Sequence, residues 1–321
     1  MAMGRYGRTI GTLALPATLP VERLQGRLRG SGQPLVLTYA GESATADFIA
    51  GALLDLERRT RVGRLASPLH LRSESFRKLC SDSDLVAMDV PRLWQGCLPS
   101  GTHIRMPAWV SQQIGDDGGS PVVVPPRIRK EVRRHSRREG YELRFSTGAG
   151  DLRRFYAELY RPYLSARFGA GAVIVDEARF LAASRGMTLA LLTAAGQWVA
   201  GVLLDQGGHT LRLGWFGSRC APPPAGASEV LDAGVLEWAA AQRVTRVVMG
   251  HSRPSLADGV VRYKSRFGAQ VRATRFPQRT LGLWVLRWSP ALKASLDAAR
   301  FVTFRNGQPS IYVAPPVVPV G

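Results

Sequence analysis

The sequence predicts a mixed α/β fold built in two parts, and three observations carry that expectation. Apolar runs of strand length alternate with amphipathic stretches of helix length along most of the chain. The 321 residues, 45% of them hydrophobic, suffice for two domains of ordinary size. A segment at 115–126, GDDGGSPVVVPP, has the punctuation of an interdomain linker. The expected division is an N-terminal α/β subdomain over 1–114, that linker, a second domain over 127–280 and a C-terminal extension over 281–321.

In order, residues 1–34 are rich in Gly, Pro and Arg and give at most one strand and one short helix. PLVLTY at 34–39 reads as a strand. The stretch 46–59 reads as a helix, with Phe48, Ile49, Ala52, Leu53 and Leu56 at helical spacing. A further helix is expected over 72–80 and a strand over 85–90, ended by Pro91; Trp94 and Trp109 read as packing residues. The segment RIRKEVRRHSRREG at 127–140 predicts a helix stopped at Gly140. Ile128 and Val132 are its only aliphatic side chains, so it cannot be buried all round.

The second half has a cleaner rhythm. A strand at 141–145 is followed by a long helix that Asp151 can cap, with Leu152, Phe155, Tyr156, Leu159, Tyr163 and Leu164 on its apolar positions. A second helix covers 176–184. Three strands at 187–194, 198–204 and 210–216 are joined by turns at Ala195-Gly196 and Gly207-Gly208. Ser228 can cap a helix to 243, and VTRVVM at 244–249 reads as a buried strand. A polar loop leads to an amphipathic stretch at 260–267, where Val260, Tyr263 and Phe267 share a face, and a last strand covers 270–275. Three meandering strands between helices, then a strand–helix–strand close, predict a mixed sheet.

Net charge is +19 and unevenly spread. Residues 127–138 hold seven basic residues and one acid, and 259–321 hold ten and one. Such clustering favours a polyanionic partner: tRNA or another nucleic acid, a nucleotide-linked substrate, an acidic carrier protein or an anionic lipid surface. No apolar run has membrane-spanning length, the N-terminus has no apolar signal core, and three scattered cysteines fit a reducing compartment, so a cytoplasmic location is expected. The sequence contains no HExxH, CxxC, Walker loop or G-x-S-x-G elbow, and no tightly bound cofactor is expected.

The helix DLRRFYAELYRPYLSARFG, the hairpin LLTAAGQWVAGVLL and the close MGHSRPSLADGVVRYKSRFG, with the element order around them, resemble the GNAT acyltransferase superfamily. The details look more like its Fem-type branch, which moves an amino acid from aminoacyl-tRNA to an amine. The resemblance covers 110–275 and implies two related GNAT-like subdomains, the first degenerate. It departs from acyl-CoA users at 217–228, GSRCAPPPAGAS, where they carry a glycine-rich diphosphate loop. Pro222, Pro223 and Pro224 have no N–H to offer, although Gly226 and Ala227 leave room for a partial nest.

Acyl transfer to an amine needs a neutral amine, a stabilised oxyanion and a proton path to the leaving atom. In the Fem resemblance Lys264 takes the charge-donor role. His251 and Ser252 follow a strand end, His251 as a base or relay, with Asp258 either orienting it or capping the next helix. Trp215, Tyr156, Tyr160, Tyr163, Arg167 and Glu229 are the candidate substrate-binding residues. Arg127, Arg129, Lys130, Arg133, Arg134, Arg137, Arg138, Arg262 and Arg266 are candidates for phosphate or nucleic-acid binding. The expected activity is transfer of an aminoacyl group from aminoacyl-tRNA to a small-molecule, peptide or cell-wall amine. An acyl-CoA or acidic carrier-protein donor, and a non-catalytic nucleic-acid-binding protein, stay open.

Overall fold

A computed structural model of the chain describes residues 18–116, 119–169, 174–274 and 279–315. In chain order the first elements are β1 (Leu19–Leu28), β2 (Pro34–Ala40), α1 (Ser43–Leu53), β3 (Leu54–Leu65), α2 (Glu74–Cys80), β4 (Leu85–Pro91) and β5 (Ile104–Pro107). Next come β6 (Val110–Gly115), α3 (Pro126–Glu139), β7 (Tyr141–Ser146), α4 (Ala149–Phe155), a π turn at Tyr156–Tyr160, α5 (Arg161–Phe168) and α6 (Glu177–Ala183). The strands β8 (Thr188–Ala194), β9 (Gln197–Gly207) and β10 (Thr210–Ser218) follow, then α7 (Ala227–Ala241), β11 (Arg246–Ser252), α8 (Gly259–Arg266) and β12 (Gln270–Ala273). The chain closes with β13 (Arg279–Val285), α9 (Pro290–Ala299), β14 (Val302–Arg305) and β15 (Gln308–Ile311).

Two mixed sheets flanked by helices result, which is the predicted fold class. One has the order β3-β1-β2-β4-β13-β5, the other β12-β6-β11-β10-β9-β8-β7. The six-stranded sheet is antiparallel except where β2 pairs with β4. On one face it buries Ile49 and Leu53 of α1 with Leu292 and Leu296 of α9, and on the other Phe76 and Cys80 of α2. In the seven-stranded sheet β7 to β10 form an antiparallel meander, and β10 then pairs in parallel with β11. Phe155, Leu159 and Phe180 pack one of its faces, while α7 and the inner side of α3 pack the other. The order of elements from β7 to β12 is the one read from the sequence.

The domain division differs from the expected one. The seven-stranded unit comprises 111–250 and 263–270, and the six-stranded unit takes the rest of the described chain. The predicted linker is packed: Val122 and Val124 are core residues, and the Val122 N–H donates to the Val244 carbonyl at 3.0 Å. Gly115 turns there at a φ of +71°, with a Cβ position only 2.0 Å from the Thr245 carbonyl oxygen, so no side chain fits. Asp117 and Gly118 lie outside the described residues. The supposed C-terminal extension supplies β13, an internal strand whose residues Thr280, Leu281, Gly282 and Leu283 are buried. The helix expected over 46–59 stops at Leu53, because 54–65 pairs with β1 along its whole length, from Leu19↔Leu65 to Leu28↔Leu54. Leu56, counted as a helix core position, is exposed as a result.

Smaller corrections concern the caps. Gly148 and Gly226, not Asp151 and Ser228, hold the N-cap positions of α4 and α7. Asp176, read as the first residue of its helix, is instead the N-cap of α6, accepting from the Arg179 N–H at 2.9 Å. The last predicted strand ends at Ala273, with Arg275 outside the described residues, as is anything expected within 1–17. Among the described residues no helix is long and apolar enough to cross a membrane.

Candidate functional site

The seven-stranded unit opens at its centre. β10 pairs with β11 only from Thr210↔Arg246 to Arg212↔Val248, and the strands then part. On its other side the ladder to β9 shifts register between Leu213 and Phe216. A bulge of this kind leaves backbone groups outside the ladder and re-aims the strand. Arg212 to Phe216 are accordingly all half-buried, although they lie on a central strand. Just beyond, Gly217 lets the π turn lie directly on the strand, since a Cβ there would stand 2.6 Å from the Tyr160 nitrogen. π turns of this sort recur at functional sites.

The predicted acceptor wall divides. Tyr156 and Tyr160 belong to the core, 5% and 3% exposed, and the Tyr156 hydroxyl donates to the Val175 carbonyl at 2.9 Å. Burial, then the neighbouring Tyr156, holds the Tyr160 phenol above its ordinary pKa. Tyr163 is buried against Phe216, ring centres 5.2 Å apart, and its hydroxyl accepts from Arg167. Trp215 stays half-buried, its ring 4.9 Å from that of Phe180 and 6.2 Å from that of Tyr160. Of this group Trp215 lies within the bulge, its ring packed on the Phe180 and Tyr160 side of the sheet.

The start of α7 is closed. The Ala227 N–H donates to the Pro224 carbonyl at 3.0 Å. The imidazole of His135, from α3, lies on Gly226, whose Cβ position would fall 2.4 Å from the ring. Gly226 has a φ of +76°, a second reason for glycine there. Glu229, in the first helical turn, pairs with Arg266 at 3.6 Å. Arg266 also binds Glu131, which takes Arg127 at 3.4 Å as well. The charge of Arg266 is thus spent within the fold, contrary to its expected phosphate role.

Sequence reasoning missed Asp232. It lies on α7 between the buried Leu231 and Ala233, and its carboxylate accepts from the Tyr263 hydroxyl of α8 at 2.7 Å. Burial pushes this carboxyl up to about 6 from an ordinary 3.8, against the pull of the Tyr263 hydrogen bond and of the Lys264 ammonium. The Tyr263 phenol is raised in turn, by burial first and Asp232 second. An acid flanked by apolar neighbours in ASEVLDAGVLEWAAA was the available signal. Folded Asp232 keeps a proton that the unfolded chain releases, so stability falls as pH rises from about 4 to about 6. Asp232→Asn keeps an acceptor for Tyr263 and removes that titration. Denaturant melts across this range should show the wild type losing about 2 kcal/mol more than the variant.

The remaining predicted catalytic groups, His251, Ser252 and Asp258, fall in the six-stranded unit with Arg262, whereas Lys264 belongs to the seven-stranded one. His251 is exposed, with Nε2 3.2 Å from the Thr274 hydroxyl. Ser252 is buried. Asp258 caps α8, accepting from the N–H groups of Val260 at 2.9 Å and Val261 at 3.1 Å. Its carboxylate therefore follows the capping alternative.

Among solved structures the chain is similar to L-PGS from Bacillus licheniformis, at 12% identity and a TM-score of 0.41 over 87% of this chain and 90% of that one. It is also similar to a GCN5-related N-acetyltransferase from Sphaerobacter thermophilus, at 14% identity and a TM-score of 0.39 over 79% and 74%. A third is a GCN5-related N-acetyltransferase from Anabaena variabilis, at 9% identity and a TM-score of 0.33 over 93% and 72%. No protein-family model matches the chain, and no curated protein matches it. Likeness at this level carries no functional argument, which rests on the chain's own residues.

Proposed function

We propose that the chain is an N-acyltransferase of GNAT-like, Fem-type architecture that moves an aminoacyl group from aminoacyl-tRNA onto an amine of a small molecule, peptide or cell-wall precursor. The observation that carries this reading is a β10 that parts from β11 beside a closed α7 start. Backbone N–H groups released from a ladder can receive the oxygen of a tetrahedral intermediate, the term that usually dominates acyl transfer. Trp215, half-buried in the bulge, is the substrate-binding candidate on this strand. Lys264 supplies positive charge to the leaving ribose oxygen.

The closed α7 start supports the choice of donor. A nucleotide diphosphate is held by successive free N–H groups at a helix N-terminus. Here three prolines have none, the Ala227 N–H is engaged, and His135 covers Gly226. Glu229 adds a negative charge to the same turn.

Thermal shift of the purified protein with CoA, acetyl-CoA and a pool of charged tRNAs tests the donor. Stabilisation by charged tRNA, growing with the logarithm of its concentration, and none by CoA is the expected result. Stabilisation by CoA alone would overturn the donor and return the site to acyl-CoA chemistry. RNA binding without transfer from any donor would overturn the enzyme itself.

A further inference from the structure

The outward face of α3 takes no part in the chemistry above. Ile128 and Val132 turn into the core and His135 onto Gly226. The opposite side carries two rows at intervals of four residues, Arg129, Arg133 and Arg137 beside Lys130, Arg134 and Arg138. These six and Pro126 line an open groove of about 850 Å³. The two acids of the helix stand outside both rows, Glu131 bound to Arg266 and Arg127, Glu139 to Arg138. Arg129 lies 3.9 Å from Glu237. Among the described residues no carboxylate comes within 4.0 Å of Lys130, Arg133, Arg134 or Arg137.

Each row spans roughly 12 Å of helix axis, the axial length of about three to four phosphates on one nucleic-acid strand. A single carboxylate or phosphate would neutralise one position and leave the rest repelling one another; a regularly charged polymer answers the whole stripe. Arginine in five of the six places favours phosphate, whose oxygens its planar fork binds in pairs. A helix that lies in a membrane surface needs an outward apolar side, and the aliphatic side chains of α3 are spent in the core.

We infer that this face of α3 docks the phosphodiester backbone of an RNA without reading its sequence. The inference rests on the aminoacyl-tRNA reading for the identity of that RNA. Phosphate contacts of this kind set position and supply salt-dependent affinity.

The test compares the full chain with Arg133→Ala/Arg134→Ala/Arg137→Ala, and with Arg58→Ala/Arg61→Ala/Arg64→Ala on β3. Both triples remove the same charge from exposed positions, so folding is conserved and net charge is controlled. Binding of unfractionated tRNA is measured from about 50 to about 200 mM salt. The α3 triple should bind at least about tenfold more weakly, with its salt slope reduced by roughly two to three. The β3 triple should bind nearly as the wild type does.

Equal losses in both triples would reduce the effect to net charge and overturn the dock. Wild-type affinity in the α3 triple would overturn the dock and leave the donor reading standing if transfer from charged tRNA persists. Failure of the wild type to bind tRNA, with binding to phosphatidylglycerol vesicles or to an acidic protein instead, would overturn both. Loss of tRNA binding in the α3 triple alone, in a wild type that transfers nothing from charged tRNA, would sustain the dock and sink the donor reading.

Discussion

Arg279→Ala is expected to destabilise the six-stranded unit by about 3–5 kcal/mol, the cost of leaving a buried charge without its partner. The charge is Asp89 on β4, fully buried. Arg279, on the neighbouring β13, donates from Nε to its carboxylate at 2.8 Å and from Nη2 to its backbone carbonyl at 3.0 Å. Arg279 also reaches Glu42 at 3.0 Å, and the Tyr39 hydroxyl donates to the Glu42 carbonyl at 2.8 Å and lies 3.4 Å from the Asp89 carboxylate. Burial, then Asp89, raises the Tyr39 phenol, and the acids around Arg279 raise its guanidinium against the effect of burial. The denaturant midpoint should fall accordingly, and a double variant with Asp89→Leu should recover much of the loss, since removing both charges also removes the dry carboxylate. A loss below about 1 kcal/mol, the value of an exposed pair, would mean that water enters the network and that β13 is held by its apolar residues alone.

That network marks the limit of what the sequence disclosed. The elements from β7 to β12 were legible because each announces itself locally: Asp176 ahead of a helix, paired residues at the turns, a proline loop before α7. Asp89 reads as a polar interruption in LVAMDVP, and only the placement of β13 beside β4, nearly two hundred residues on, gives it a partner. β3 failed for a related reason. Helical spacing at 46–59 is real up to Leu53, but strand pairing with β1 decides the rest, and a pairing partner is no property of the local pattern.

The candidate site divides in the same way. The helix that carries Lys264 was legible from its apolar spacing. Asp232 acquires meaning only when α7 and α8 pack, which places a phenol and an ammonium beside it. The bulge in β10 left one local mark, the adjacent Trp215 and Phe216 that break the alternation of LRLGWFGS, but the irregularity itself lies in the register with β9. The arginines of α3 were legible as a cluster, but which of them are paired within the fold was not. That depends on Glu237 and on the engagement of Glu131 with Arg266.

Lys264→Ala is expected to lower kcat for transfer from charged tRNA by about 10²–10³, the effect of removing one donor to developing negative charge. The competing role is structural. Lys264 is half-buried, and its ammonium favours the ionised form of Asp232. If that were its whole contribution, alanine would move Asp232 further up and shift the pH profile of stability, with kcat unchanged at a pH where Asp232 is ionised. The two roles therefore separate on paired measurements, kcat near neutral pH and denaturant midpoints from about pH 4 to about pH 7. Lys264→Arg sharpens the separation. It keeps the positive charge beside Asp232, so the stability profile should stay near that of the wild type. A catalytic ammonium must instead meet one oxygen at one distance, and the broader guanidinium on a longer stem should restore only a minor part of the rate. A variant that restored both in full would place the function of Lys264 in charge balance, and would leave the N–H groups of the β10 bulge to stabilise the oxyanion unaided.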